Sequence, residues 1–125
     1  MEWTFREDMP IYTQLREKLT LAIVSGGYAP GARLPAVREL AAEAGVNPNT
    51  VQRALTELER EGLVCARRTS GRFVTQDAER IERERQRLAE ERAKGVLAAM
   101  EELGYNRIQT VMLLEKVRAA AETEQ

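Results

Sequence analysis

The chemistry that this chain could perform is concentrated in short polar side chains within residues 47–53. Asparagine and glutamine amides can pair with adenine, a threonine methyl can touch thymine, and arginine can donate twice to guanine. The run supplies all of these groups, at Asn47, Asn49, Thr50, Gln52 and Arg53. Their types favour the reading of base edges, although Thr50 could equally bond to a phosphate and carry no sequence information.

A helix that begins at residue 48 is needed to present these groups. Asn47 is a good N-cap, and Pro48 suits the first helical position, where the backbone N–H has no helical partner. The opposite face carries apolar residues at helical spacing, namely Val51, Ala54, Leu55 and Leu58. A shorter helix over residues 36–44 precedes it, and Gly45 separates the two. This arrangement predicts a helix-turn-helix, whose second helix enters the major groove of DNA.

Flanking patterns complete a mainly α-helical domain with one small β-hairpin. Apolar spacing predicts a first helix over residues 10–25, which ends at paired glycines. Residues 63–66 and 73–75 have the composition of short strands, and the residues between them favour a turn. Three helices followed by a hairpin predict an N-terminal winged helix-turn-helix domain over residues 1–76.

Residues 77–125 differ in composition and predict a C-terminal two-helix dimerisation tail. A charged helix over about residues 78–103 is supported by pairs such as Glu82 with Arg85, and Asn106 can cap a second helix. The first half of the charged helix has the pattern of a solvated spacer, with a coiled-coil seam or a partner-binding surface as alternatives. Beyond it, the apolar residues exceed what a two-helix hairpin can bury, so we expect pairing with a second copy. The expected dimer interface comprises Val96, Leu97, Met100, Leu103, Ile108, Val111, Met112 and Leu114.

The composition restricts the other functions that are open to the chain. One cysteine and no histidine exclude an internal disulfide, a histidine-based zinc site and a histidine general base. We therefore expect no catalytic residues, no metal and no cofactor, and a structural role for Cys65 at an inward or edge strand position. No apolar run could span a bilayer and no signal-peptide pattern is visible, so the default expectation is a cytoplasmic protein without a membrane partner. The net charge is −1, yet residues 33–72 hold seven arginines against five glutamates, which predicts weakly basic, salt-sensitive binding.

The motifs together resemble those of the GntR-family winged-helix domain over about residues 10–76. They are Pro10-Ile11-Tyr12, Ser25-Gly26, Pro30-Gly31-Ala32-Arg33-Leu34-Pro35, Val37-Arg38-Glu39-Leu40-Ala41, Val46-Asn47-Pro48-Asn49-Thr50-Val51, Ala54-Leu55, Leu58-Glu59-Arg60-Glu61-Gly62-Leu63 and Gly71-Arg72-Phe73-Val74. The tail is similar to that of the YtrA-type subfamily, with a turn at Leu103-Gly104-Tyr105-Asn106.

This resemblance implies a transcriptional regulator that binds a double-stranded, roughly palindromic DNA operator as a homodimeric repressor, with a neighbouring transporter operon as its target. It implies that Arg38 lies near phosphates and bases and that residues 68–71 reach the minor groove. It also implies that the second helix of the helix-turn-helix, the recognition helix, enters the major groove with its first residues. Two positions depart from the family pattern: Ala36 replaces a common serine, and Thr69-Ser70-Gly71-Arg72 stands where Gly-x-Gly-Thr is usual. The residues expected to contact DNA are Arg33, Arg38, Asn47, Pro48, Asn49, Thr50, Gln52, Arg53, Arg68, Thr69, Ser70 and Gly71.

Several of these assignments have an ordinary structural alternative. Arg38 could be a solvated surface residue. Arg53 is expected to point between the groove and solvent, so a DNA contact and a solvated side chain both stay open for it. The alternative function is a winged-helix protein-interaction module without specific DNA binding, which would lack steep salt-dependent binding to duplex DNA. Binding of a small-molecule effector also stays an open alternative, either at the dimer interface or between the winged-helix domain and the C-terminal tail.

Overall fold

The computed structural model describes residues 3–123 and contains five helices and one two-stranded antiparallel sheet within that range. The elements are α1 (Ile11–Val24), α2 (Val37–Ala44), α3 (Pro48–Arg60), β1 (Val64–Arg67), β2 (Gly71–Val74), α4 (Ala78–Glu102) and α5 (Arg107–Thr123). The order and type of the elements confirm the predicted fold class. None of the helices within residues 3–123 is long and apolar enough to cross a bilayer.

The first three helices enclose an apolar core that holds α3 in place. Val51, Ala54, Leu55 and Leu58 are buried on the inner face of α3, as their spacing predicts. They pack with buried residues of α1 and α2, including Leu15, Leu19, Ile23 and Leu40. Burying each of these leucines and isoleucines stabilises the fold by about 1.5–3 kcal/mol relative to exposure. The outer face of α3 is thereby fixed toward solvent.

The turn between α2 and α3 is set by Gly45, which adopts a left-handed conformation with φ of 68°. A side chain would strain this backbone, so glycine is the natural residue at the end of α2. The Val46 N–H then donates to the Ala41 carbonyl at 3.1 Å, and α3 begins two residues later at Pro48. Ala36 precedes α2 without a side-chain cap, as its substitution for serine predicts.

The hairpin is shifted from the strands that the sequence predicts. Its register pairs Val64 with Val74 and Arg67 with Gly71, so β1 begins and ends one residue later and β2 begins two residues earlier than predicted. The shift follows from Gly71, whose φ of 104° lets the turn close at residue 70. Cys65 is exposed on β1, which has a paired strand on one side only within residues 3–123; its predicted inward position is wrong and the edge alternative is right.

The chain divides into two compact units, Met1–Arg85 and Gln86–Gln125. The first unit contains the winged helix and the first two turns of α4. Ile81 is buried there, the Arg85 Nε donates to the Val24 carbonyl at 2.8 Å, and the Arg80 Nε donates to the Glu61 carbonyl at 2.9 Å. The prediction of a solvated spacer is therefore wrong for residues 78–85. The predicted domain boundary after residue 76 stays a prediction.

The second unit holds the rest of α4 and α5, joined by a turn at Gly104, whose φ is 90°. Asn106 caps α5 as predicted: its Oδ1 accepts from the Gln109 N–H, and the Gln109 Oε1 accepts from the Asn106 N–H, both at 2.8 Å. This reciprocal pair is a capping box and satisfies two otherwise open donors. Thr110 is buried, which fixes the face of α5 that turns inward.

Candidate nucleic-acid interface

The start of α3 presents a row of polar side chains. The Asn47 Oδ1 accepts from the Asn49 N–H at 2.7 Å, which confirms the predicted N-cap and commits that oxygen to the helix. Pro48, Asn49 and Gln52 are exposed, and Thr50 is half-buried. Because Val51 is fully buried beneath them, these groups cannot rotate into the core. Asn49, Thr50 and Gln52 therefore present their polar groups at the surface of the helix.

The hairpin of β1 and β2 forms the wing, and it contacts α3 through Arg72 of β2. The Arg72 Nε donates to the Glu59 Oε1 at 2.5 Å, and its Nη1 lies 3.4 Å from the Gln52 Oε1. Gln52 and Glu59 are two helical turns apart, so one guanidinium spans the same face of α3. Sequence reasoning placed Arg72 on the wing but missed this contact, since the register of a hairpin against a helix is not encoded in spacing alone.

The tip of the wing is an exposed turn formed by Arg68, Thr69 and Ser70. The Ser70 N–H donates to the Arg67 carbonyl at 3.1 Å, which closes the turn. Arg33 lies against the base of this turn: a Cβ placed on Gly71 would come within 3.3 Å of the Arg33 Nε. The structure therefore brings the predicted contacts Arg33 and Gly71 together, which their distance in sequence did not reveal.

Arg53 lies against α1. Its guanidinium carbon is 3.6 Å from the centre of the Tyr12 ring, a cation–π contact that directs the side chain toward the start of α1. Together with Asn49, Thr50 and Ile11, the pair lines a shallow surface depression beside the recognition helix. The sequence placed Tyr12 in the Pro10-Ile11-Tyr12 motif but did not reveal it as the partner of Arg53.

Arg38 projects from α2, where it is exposed. Within residues 3–123, neither Arg38 nor Arg68 forms an ion pair, whereas Arg16, Arg72 and Arg80 are paired with glutamates of the winged-helix unit. Uncompensated arginine charge thus lies on α2 and at the wing tip. An anion can be attracted there without first breaking an internal pair. The assignment of individual residues to DNA contacts stays a prediction.

A second candidate surface lies on the C-terminal unit. Leu103, Ile108 and Met112 are 72%, 73% and 68% exposed, and Val96, Val111 and Leu114 are exposed as well. Leu97 and Met100 are half-buried. All eight residues of the predicted dimer interface therefore retain accessible apolar surface.

The first unit packs three helices together, and the third of them, α3, is capped and has a polar outer face. With a hairpin that carries arginines, this arrangement defines a winged helix-turn-helix protein. The chain belongs to the gntR family of bacterial regulatory proteins, whose family model matches residues 11–74. It is accordingly a DNA-binding transcriptional regulator and not an enzyme.

Two Bacillus subtilis proteins show the similarity in sequence. The chain is 37% identical over 107 residues to the uncharacterized HTH-type transcriptional regulator YhcF, an alignment that covers 86% of this chain and 88% of that protein. It is 41% identical over 73 residues to the HTH-type transcriptional repressor YtrA, covering 58% and 56% of the two chains. The predicted resemblance to YtrA-type regulators is confirmed.

Two solved structures show the similarity in fold. A GntR family transcriptional regulator from Listeria monocytogenes superposes with a TM-score of 0.83 and 35% identity, over 90% of this chain and 98% of that one. The DNA-binding domain of AraR in complex with operator ORX1 superposes with a TM-score of 0.53 and 29% identity, over 60% and 92%. The first match extends beyond the winged helix into the helical tail.

Proposed function

We propose that this regulator acts as a homodimer that represses transcription by occupying a roughly palindromic operator. The observation that carries the proposal is the combination of exposed apolar side chains on α5 with a winged helix that exposes the polar residues Asn49 and Gln52 of α3. The C-terminal unit supplies a surface for self-association, and the N-terminal unit supplies one DNA-binding head per copy. Repression agrees with the name of the relative YtrA, an HTH-type transcriptional repressor.

The case for self-association rests on the exposed side chains at the start of α5. Ile108, Val111 and Met112 are all more than 60% exposed and adjoin one another along the helix. Contiguous apolar surface of this kind is unusual on a monomer and is commonly covered by a second copy. A two-fold symmetric pairing would let the same surface serve both chains.

The case for operator reading rests on the exposed amides of α3 and the unpaired arginines. The AraR domain, which shares this fold, is complexed with an operator. We infer that Asn49 and Gln52 meet base edges in the major groove, while Arg38 and Arg68 meet phosphates or the minor groove. Two heads in a symmetric dimer would then require half-sites about one DNA turn apart, or a multiple of that distance.

The proposal predicts that Ile108→Glu disrupts the dimer and weakens operator binding without unfolding the head. A buried carboxylate on each side of a two-fold interface is strongly unfavourable. Sedimentation equilibrium should show a monomer for Ile108→Glu and a dimer for the parent, while helical content stays unchanged. Ala120→Glu makes the same change of charge at another exposed position of α5 and serves as the control.

Two results would count against this function. A dimeric Ile108→Glu variant would place the self-association surface elsewhere. Binding of the parent protein to duplex DNA that is weak and equal for all sequences would favour the alternative of a protein-interaction module.

A further inference from the structure

The contact between Arg72 and Gln52 joins the wing to a side chain at the base-reading end of α3. Arg72 is held by Glu59 through its Nε, and its side chain is only 19% exposed. Its Nη1 points to the Gln52 Oε1 at 3.4 Å, while Gln52 itself is exposed. A guanidinium carries donors and no acceptor, so the amide must turn its oxygen to Arg72 and its NH₂ group away.

We propose that Arg72 is a positioning residue that makes Gln52 present hydrogen-bond donors to DNA and thereby selects guanine over adenine. The inference rests on the proposed function, because it requires Gln52 to face a base. A free glutamine pairs with adenine through two bonds: its oxygen accepts from N6 and its NH₂ donates to N7. In this protein the guanidinium lies beside the oxygen, where the adenine N6 donor would have to approach.

Guanine avoids this conflict. Its N7 and O6 are both acceptors, so the outward NH₂ group of Gln52 can donate to either one. Adenine would leave its N6 donor facing a second donor, and an unmet donor in a desolvated groove is costly. The preference therefore follows from the orientation that Arg72 imposes on the amide, whichever half-site the protein binds.

Glu59 is the third member of the arrangement. It removes the freedom of Arg72 to swing toward a phosphate, since the planar fork is anchored at Nε. The Glu59 carboxylate is also neutralised by Arg72, which reduces its repulsion of DNA. Weakening the pair between Glu59 and Arg72 should therefore free the Gln52 amide to rotate. The preference for guanine should then fall, as it should when Arg72 itself is replaced.

The experiment is selection of duplexes from a random pool with the full chain and its variants. The base position read by Gln52 is the one whose preference disappears in Gln52→Ala. In the parent, that position should hold guanine. In Arg72→Lys, which keeps the pair with Glu59 but loses the fork, the ratio of guanine to adenine should fall by at least about fivefold. Glu59→Gln should shift the ratio in the same direction.

A double-mutant comparison separates positioning from direct contact. Arg72→Lys in the Gln52→Ala background should leave the base preference of that protein unchanged. Arg60→Lys is the control, because Arg60 is exposed on α3, the helix that carries Gln52, and forms no ion pair within residues 3–123. Thermal unfolding of every variant confirms that the head stays folded.

Three outcomes would overturn the inference. Adenine at the Gln52-dependent position of the parent would show that the amide oxygen is free. An equal effect of Arg72→Lys with and without Gln52 would show that Arg72 reads DNA itself. An unchanged ratio in Arg72→Lys would show that the contact has no influence on base choice. Failure of the parent to enrich any motif would instead reject the proposed function together with the inference.

Discussion

Replacing Asn47 with aspartate should separate the stability of the recognition helix from its binding to DNA. The Asn47 Oδ1 caps α3 by accepting from the Asn49 N–H at 2.7 Å. An aspartate retains this acceptor, and its negative charge interacts favourably with the helix N-terminus by about 0.3–1 kcal/mol. Alanine removes the cap and should lower the free energy of unfolding by about 1 kcal/mol.

The same substitution, Asn47→Asp, should weaken the binding of the protein to DNA. Asn47 is exposed at the end of α3 that we assign to the DNA surface, so a carboxylate there would face phosphates. Like charges brought together at an interface are strongly unfavourable, and we expect a loss of affinity of about tenfold or more. Asn47→Asp should therefore be as stable as the parent but bind its operator weakly.

The two quantities are measured by urea denaturation and by fluorescence anisotropy with an operator duplex. Asn106→Asp is the control, because Asn106 also caps a helix through its Oδ1, which accepts from the Gln109 N–H at the start of α5 in the C-terminal unit. It should alter neither stability nor DNA affinity appreciably. An Asn47→Asp protein as unstable as Asn47→Ala would refute the capping argument. One that binds DNA as tightly as the parent would refute the placement of Asn47 at the interface.

Two further substitutions test the surface and the core. Arg38→Ala should weaken binding to all duplexes and reduce the slope of log affinity against log salt by about 1, because one phosphate contact is lost; an unchanged slope in a salt titration would leave Arg38 as a solvated residue. Leu58→Ala should lower the free energy of unfolding by about 2–5 kcal/mol, because this side chain is 0% exposed in the core behind α3. Urea denaturation measures the change, and a loss below about 1 kcal/mol would contradict the tight packing of that site.

The sequence was a good guide to the helices because their boundaries depend on local chemistry. Asn47, Pro48 and Gly45 act through their own backbone and cap geometry, so the turn and the start of α3 could be predicted from single residues. The capping box between Asn106 and Gln109 is local in the same way. The apolar face of α3 likewise follows from helical spacing.

Contacts between distant elements could not be predicted in this way. The Arg72 contact with Gln52 and the stacking of Arg53 on Tyr12 depend on how the wing and α1 pack against α3. The burial of Ile81 shows the same limit, because an isolated apolar residue in a charged helix gives no indication of what it packs against. Side-chain partners across elements are set by tertiary packing, which a periodicity does not specify.

The most direct test of the central claim is selection of bound duplexes from a random pool by the purified protein at two salt concentrations. A symmetric dimer with two reading helices predicts enrichment of a two-fold symmetric motif, with half-sites about one DNA turn or a multiple of it apart. Affinity for the enriched duplex should fall steeply as salt rises. A single unrepeated site, or no enrichment at either salt concentration, would contradict the account.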